Sequence, residues 1–414
     1  EVKAWTMENH GNLLQRFRDV SHLLWDRDCS IIDRKVYEGH HVPRHGPGAT
    51  AERIGANAKF ESRTWTTRLE DNFFPATEFV IPNSGFFDEL ESFNFIEPGD
   101  ELPSRVIHVP KTLKTPRIIA IEPVCMQYAQ QALLEVIVDQ LERSDYLSGS
   151  IGFTDQVPNQ WMAQLGSDDG GFATIDLSEA SDRVSNLLVT EMLRPYPSFA
   201  RAIQASRSVK ADVPFHGIIP LEKFASMGSA TCFPIEAMVF LTLVLLGIED
   251  SLNRPIERKD IPSLLSQVRV YGDDIIVPVE YVRSVTDILQ LFGMKINRRK
   301  SFWTGKFRES CGKDFYGGSD VTVTYVRRLL PSSRSEVQEM ISAISLRNQL
   351  YLAGLWRATD YLDTLLQGLA PLPNVLDTSP VLGRFSFLGY KAERVDPYLH
   401  RPLVRGLVVR TKPR

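Results

Sequence analysis

Cysteine is scarce: Cys29, Cys125, Cys232 and Cys311 are four residues among 414. They lie too far apart for a C-x-x-C zinc or redox pattern, and nothing suggests a secreted disulfide framework, so a reducing cytosol is the expected setting. Long apolar runs are also missing. The longest, Ala237 to Ile248, covers twelve residues before Glu249 and Asp250, short of the roughly 20 that span a bilayer, so it reads as a buried helix. No internal repeat or low-complexity tract occurs. Neither sign of charge dominates, with Lys+Arg 47 against Asp+Glu 51 and a net charge of −4. A disulfide knot, a short peptide and a disordered charged tail are therefore excluded. The start, Glu1-Val2-Lys3-Ala4-Trp5, has no initiating Met and no charged-then-apolar leader, which suggests a chain cut from a longer product.

What is present is an ordinary globular mix, 43% hydrophobic and 24% charged, long enough for two to four packed units. Between Gln127 and Arg143, Ala129, Leu133, Leu134, Ile137, Val138 and Leu141 recur at helical spacing. Phe172 to Leu177 follows two glycines and reads as a short buried strand, after which Ser178, Ser181 and Asp182 offer N-caps for a helix through about Leu193. Met227 to Ser229 reads as a small-residue loop feeding the long apolar helix. Gln267 to Tyr271 and Ile275 to Pro278 read as a hairpin around Gly272-Asp273-Asp274. A helix over Tyr281 to Phe292 and a strand over Val321 to Val326 follow. That order predicts an α+β fold, an antiparallel sheet backed by helices on one face, akin to the split βαβ family.

The sharpest feature is Tyr271-Gly272-Asp273-Asp274 between two β-branched runs. A tight turn there would expose two adjacent carboxylates, a site for a hard cation shared with substrate phosphates; the competing explanation is that Asp and Gly simply favour turns. Asp176 ends a buried strand ninety-seven residues before Asp273. Burying that carboxylate alone is costly, and a shared metal would relieve the cost. Three carboxylates on two neighbouring strands can hold two Mg²⁺ ions, one activating a 3′-hydroxyl and one steadying a leaving pyrophosphate. Asp182 reads either as a helix N-cap or as a partner for a ribose.

These segments carry a family resemblance. Thr174 through Asp182 resembles motif A of RNA-dependent RNA polymerases, Ser226-Met227-Gly228-Ser229-Ala230-Thr231 resembles motif B, and Tyr271-Gly272-Asp273-Asp274 resembles motif C, in the same order and spacing. Phe307 to Lys313 with Asp320-Val321-Thr322, and Val109-Pro110-Lys111 through Arg117 to Pro123, resemble the replicase catalytic subunit of the positive-strand RNA bacteriophages, the leviviruses. The resemblance runs from about residue 40 to about residue 330.

The resemblance implies a right hand with an antiparallel, ferredoxin-like palm: fingers over 1–170, palm over 171–335 with a fingers insertion around 195–225, and a small thumb with a basic tail over 336–414. It implies that Asp176, Asp273 and Asp274 are catalytic metal ligands for two Mg²⁺ ions, with Mn²⁺ a substitute. Lys111, Lys114 and Arg117 would hold triphosphate charge unless they form a solvated loop. Asp182, Ser226 and Gly228 would line the nucleotide site, the small residues permitting close backbone approach, against a plain helix entry. Lys300 is a candidate general acid toward pyrophosphate, although Arg298 and Arg299 adjoin it. The motif B segment offers Glu236 where many eukaryotic viral enzymes place an Asn that reads the ribose. Ser181 is small where reverse transcriptases carry a bulky aromatic, which favours ribonucleotides.

From Lys295 to Arg334 ten basic residues face three acidic ones, an excess of seven positive charges with six aromatics interleaved, suited to an RNA backbone. His40, His41 and His45 have no acidic or thiol partner at ligand spacing and read as no metal site. The adjoining His45-Gly46-Pro47-Gly48 looks like a fingers turn shared in some form by leviviral replicases, without an assigned role. The implied function is replication of a single-stranded RNA phage genome from NTPs in the cytoplasm of an infected bacterium. The partners implied are template and product RNA, host elongation factors Tu and Ts, and the largest small-subunit ribosomal protein, with no membrane. The rival readings are a reverse transcriptase and a catalytically idle RNA-binding scaffold.

Overall fold

The structure is a computed structural model that describes residues 1–8, 10–55, 57–110 and 116–410. The chain is mixed helix and strand and divides into two compact units, residues 1–107 with 118–322, and residues 108–117 with 323–414.

The core of the first unit forms around two long helices. Gly11–Tyr37 turns Phe17, Leu24, Trp25 and Ile32 inward, and the buried Trp25 indole N–H donates to Thr242 Oγ1 at 2.8 Å. Thr242 lies on Cys232–Leu252, a helix longer than the apolar run that announced it because Cys232 to Glu236 join its first turns. By length and composition alone this helix could cross a membrane, with a mean hydropathy of 1.9. Here its apolar surface is covered by the protein's own side chains, with Ile235 and Ala237 to Leu241 each at 0% exposure. Val124–Glu142 forms the expected amphipathic helix and packs into the same core.

The sheet that positions the site has three strands: β1 (Phe172–Asp176), β2 (Arg269–Tyr271) and β3 (Asp274–Pro278), with β3 in the middle and antiparallel to both neighbours. Helices cover both of its faces rather than one. Ile275 and Val277 point into the main core, while Ile276 packs with Met162, Ala163 and Phe315, the first two on the helix Val157–Asp169. An uninterrupted apolar run is what a doubly buried strand requires. The outer edge of β1 is closed by an irregular segment: Phe302 and Thr174 exchange backbone bonds of 2.8 and 3.0 Å, and Asn297 N–H reaches the Asp176 carbonyl at 2.9 Å.

Two further expectations are corrected. The helix after β1 is broken into Ala180–Arg183 and Asn186–Leu193. Phe224 N–H takes the Val184 carbonyl at 2.8 Å and Asn186 N–H takes the Glu222 carbonyl at 3.0 Å; that pairing holds Val184 extended, and Ser185, not Ser178, Ser181 or Asp182, caps the second helix. The segment Val321 to Val326 is not a strand. The strand there is Ser319–Asp320, paired with Phe315 and Tyr316, and Thr322 spends its hydroxyl on the Asp314 N–H at 3.0 Å. Among the described residues nothing pairs with Val323 to Val326 as a ladder.

In the second unit, helices Val337–Leu352 and Trp356–Gln367 enclose a small core of Met340, Ile344, Leu362 and Leu366. The buried Arg347 clamps Asp363 with two bonds of 2.9 Å.

Candidate active site

Antiparallel register sets the site. Asp176 at the end of β1 is the Cα partner of Asp274 at the start of β3, so the two carboxylates share one face with Cβ atoms about 4.5–5.5 Å apart. Tyr271 pairs with Asp274, which leaves Gly272 and Asp273 as the two central residues of a tight turn. Gly272 has φ +60°, the conformation a primed hairpin turn requires at its first central position. A Cβ there would lie 2.1 Å from the ring of Phe233, so the helix start underneath fixes the turn as firmly as the hairpin does. Tyr271 anchors the other side, its hydroxyl donating to the Phe153 carbonyl at 2.9 Å.

The three aspartates are not equally exposed. Asp273 projects into solvent, while Asp176 and Asp274 are half-buried, so the expected pair of exposed carboxylates at the turn becomes one exposed and one withdrawn. Asn297 Nδ2 donates to Asp176 Oδ2 at 2.7 Å, the Asp176 N–H donates to Ser301 Oγ at 3.0 Å, and the Cys311 N–H donates to Asp274 Oδ2 at 3.1 Å. Burial, then the charge of Asp273, push Asp274 up to about 7 against the pull of that Cys311 bond. Asp176 is raised by burial, with Asn297 and Lys300 opposing. Glu236, on the first turns of the Cys232–Leu252 helix, is driven well above the usual carboxylate range by burial and then by Asp273.

Carboxylates crowded until one hovers near neutrality form a site that a cation would relieve. Asp176, Asp273 and Asp274 are the residues that could hold it. Among the described residues no group of three or more His, Cys, Asp or Glu side chains is gathered closely enough to hold a metal ion by itself. An open set suits Mg²⁺, which keeps waters and takes phosphate oxygens rather than demanding an all-protein shell.

The other sequence candidates fall into place unevenly. Lys300 Nζ bonds Glu309 at 3.0 Å. Burial works against its charge, but Glu309 and the charges of Asp176 and Asp274 win and raise it above an ordinary lysine. Asp182 caps nothing; it accepts from Lys223 Nζ, and its charge reaches Glu236. Ser226 is buried, and Gly228 adopts φ +127° where a Cβ would stand 2.0 Å from the Ala120 carbonyl oxygen. Arg117 is exposed on the strand Pro116–Ile121 and belongs to the second unit. Lys111 and Lys114 lie outside the described residues.

Within the basic stretch Arg308 is not available to a ligand. It is 1% exposed and donates to the carbonyls of Phe172, Gly305 and Phe307, so it ties its own strand, Phe307–Ser310, to β1. Asn297, Ser301, Cys311 and Phe233 support the site without any signal in the sequence. They act through backbone register and a ring contact, and no periodicity marks them.

The profile of the family described as RNA replicase, beta-chain, matches residues 97–355. The RNA-directed RNA polymerase subunit beta of Escherichia virus Qbeta is 36% identical over 296 residues, covering 69% of this chain and 47% of that one. The RNA-directed RNA polymerase beta chain of Escherichia phage MS2 is 36% identical over 225 residues, covering 54% and 37%. The chain thus spans about half the length of the curated relatives it matches. Among solved structures, the RNA-dependent RNA polymerase of BmCPV at its elongation state aligns with a TM-score of 0.46 at 12% identity, covering 81% of this chain and 31% of that one, too distant to assign a fold by itself. On the match over 97–355, which takes in all three aspartates, the chain belongs to the RNA replicase β-chain family.

Proposed function

We propose that this chain is an RNA-templated RNA polymerase that replicates a single-stranded RNA phage genome. The observation that carries the reading is the strand register that sets Asp176 opposite Asp274 with Asp273 on the adjoining turn. In the reaction a 3′-hydroxyl attacks the α-phosphate of an NTP and pyrophosphate leaves. Two Mg²⁺ ions held by the three aspartates would supply an activated hydroxyl and neutralise the pyrophosphate. The chain's own groups orient these carboxylates: Asn297 and Ser301 fix Asp176, the Cys311 N–H fixes Asp274, and Phe233 fixes the turn. Lys300, held protonated beside Glu309, would give a proton to the leaving pyrophosphate.

In this reading the sheet is the palm of a right hand over 171–335, with fingers over 1–170 and around 195–225 and a thumb over 336–414. Asp182, Ser226 and Gly228 sit by the nucleotide, and Lys111, Lys114 and Arg117 take its triphosphate. Ser181, small and buried, leaves room for a 2′-hydroxyl. Resemblance to the levivirus replicases supports host elongation factors Tu and Ts and the largest small-subunit ribosomal protein as partners, in the cytoplasm of an infected bacterium.

The test is incorporation of labelled NTPs on a single-stranded RNA template, with and without Mg²⁺ and with and without bacterial extract. Template-dependent RNA that disappears on chelation is expected. Preference for dNTPs would make the chain a reverse transcriptase, and RNA binding without synthesis even in extract would make it an idle scaffold.

Asn297→Ala tests the support of the site. Removing a hydrogen bond to a charged carboxylate costs about 1.5–3 kcal/mol, so synthesis at limiting Mg²⁺ should fall about ten- to a hundredfold. Excess Mg²⁺ should restore part of it. An unchanged Mg²⁺ titration would remove Asn297 from the site.

A further inference from the structure

His45, the first residue of the His45-Gly46-Pro47-Gly48 turn to which the polymerase reading gives no role, lines a cavity of about 410 Å³ within the first unit. This volume falls in the range of ligand-binding pockets, roughly 300–1,000 Å³. Among the described residues three cations line it, Arg44, Lys59 and Arg63, and no Asp or Glu does. Lys59, only 5% exposed, donates to the carbonyls of Gly46 and Gly48, so a buried positive charge holds the turn through its backbone.

Half of the remaining lining residues are aromatic. His45 stacks at a tilt on Tyr128 with ring centroids 4.5 Å apart and meets the edge of Phe60 at 4.5 Å. Burial, then the charge of Lys59, hold the His45 imidazole below its ordinary pKa, so near neutral pH it offers a neutral ring. The polar tips of the aromatics are already spent: Tyr128 Oη donates to the Phe79 carbonyl at 3.1 Å and Trp65 Nε1 to the Phe74 carbonyl at 3.1 Å. Ring surface and positive charge face the cavity beside the hydroxyl residues Ser62 and Thr64 and a few aliphatic side chains. Trp65, Phe79 and Cys125 are buried, whereas Phe60 is 67% exposed. Arg44 and Arg63 are exposed as well, in ion pairs with Glu135 at 3.3 Å and Glu89 at 3.0 Å. Exposed pairs of this kind add little to stability, so both guanidinium groups can be given up to a phosphate at little cost.

Ring faces beside cations, in a wall without acids, are the chemistry of single-stranded nucleic acid sites. We infer that this pocket is a second RNA site that takes one unpaired nucleotide of a single strand, its base against Phe60 and His45 and its phosphates on Arg44 and Arg63. The inference rests on the reading that the chain works on RNA, but it needs none of the three aspartates.

The test uses the full chain and a labelled single-stranded oligoadenylate of about twelve nucleotides, within the span that single-strand sites cover. Base stacking on an aromatic contributes about 1–3 kcal/mol, so Phe60→Ala should weaken binding roughly 5- to 150-fold with Tm unchanged, since the ring is already exposed. Arg44→Gln with Arg63→Gln should reduce the slope of log affinity against log salt by about 0.7 for each phosphate that is no longer neutralised. Binding of duplex RNA should not change. Wild-type affinity in the variants, equal loss of duplex binding, or displacement of the strand by free AMP at matched nucleotide concentration would each overturn the strand site. If the variants lose single-strand binding while wild type makes no RNA under any condition, the pocket stands and the polymerase reading falls.

Discussion

Replacing Asp273 by Asn is expected to cut RNA synthesis by about a thousandfold or more, a loss of several kcal/mol of transition-state stabilisation, and to leave RNA binding intact. The substitution keeps the shape of the side chain and removes its charge. Asp273 is exposed and its backbone is held by Gly272, Phe233 and Tyr271, so the fold does not depend on the carboxylate. The fold is in fact strained by it. Asp273 is among the charges that raise Asp274 to about 7 and drive Glu236 above the usual carboxylate range. A carboxyl whose folded pKa is raised binds more protons in the folded state, so its contribution to stability falls as pH rises from about 4 through 7. Without the charge at 273 that loss is smaller, and the Asp273→Asn variant in Mg²⁺-free buffer should melt at the same temperature as wild type or higher. Thermal melts across that pH range, run beside NTP incorporation and RNA binding, check all three parts. Near-normal synthesis would remove Asp273 from the metal site, and a lowered Tm would give the carboxylate a structural role.

The aspartates were legible because their signal is local: two β-branched runs around Gly-Asp-Asp define a hairpin, and a carboxylate ending an apolar run needs a partner. The same locality explains what was missed. Nothing in Ile275-Ile276-Val277 says which helix covers which face, and the second covering helix, Val157–Asp169, carries only a weak apolar stripe. The break at Val184 is imposed by Glu222 and Phe224, some forty residues away along the chain. The run Val321 to Val326 has the composition of a strand, but a strand needs a neighbour, and the ladder there stops at Asp320. Arg308 reads as part of a basic stripe because charge can be counted, while three backbone carbonyls waiting for a guanidinium cannot be seen before folding. Asn297 reaches Asp176 only because the irregular segment through Phe302 lies along the edge of β1.

Gly228→Ala should be the most damaging single-methyl change in the first unit. Its φ of +127° lies where side-chain-bearing residues are strained, at about 1–3 kcal/mol. The added methyl would also stand 2.0 Å from the Ala120 carbonyl oxygen. The obstacle is backbone, with no rotamer to swing away, so the loop must separate from the strand. Separation breaks the 3.0 Å bond from the Ala120 N–H to the Met227 carbonyl and disturbs the buried Ser226, Ser229 and Thr231. Together these effects should cost about 3–5 kcal/mol, in the range reserved for backbone strain combined with lost packing. The damage also travels a short way along the chain. The loop enters the Cys232–Leu252 helix, whose second residue, Phe233, underlies the Gly272 turn, so a displaced loop carries the support of Asp273 with it. Synthesis should fall at least a hundredfold even below the new melting temperature. Gly217→Ala is the control: its φ of +73° is also positive, but among the described residues nothing lies within 4 Å of its Cβ position, so it should cost only about 1–2 kcal/mol, the left-handed penalty alone, and leave synthesis near normal. Denaturant melts and NTP incorporation on the two variants separate steric conflict from backbone strain. If Gly228→Ala proves no worse than Gly217→Ala, the close approach to Ala120 does not hold the loop, and Phe233 must be kept under the turn by its own packing against Phe153 and Tyr271.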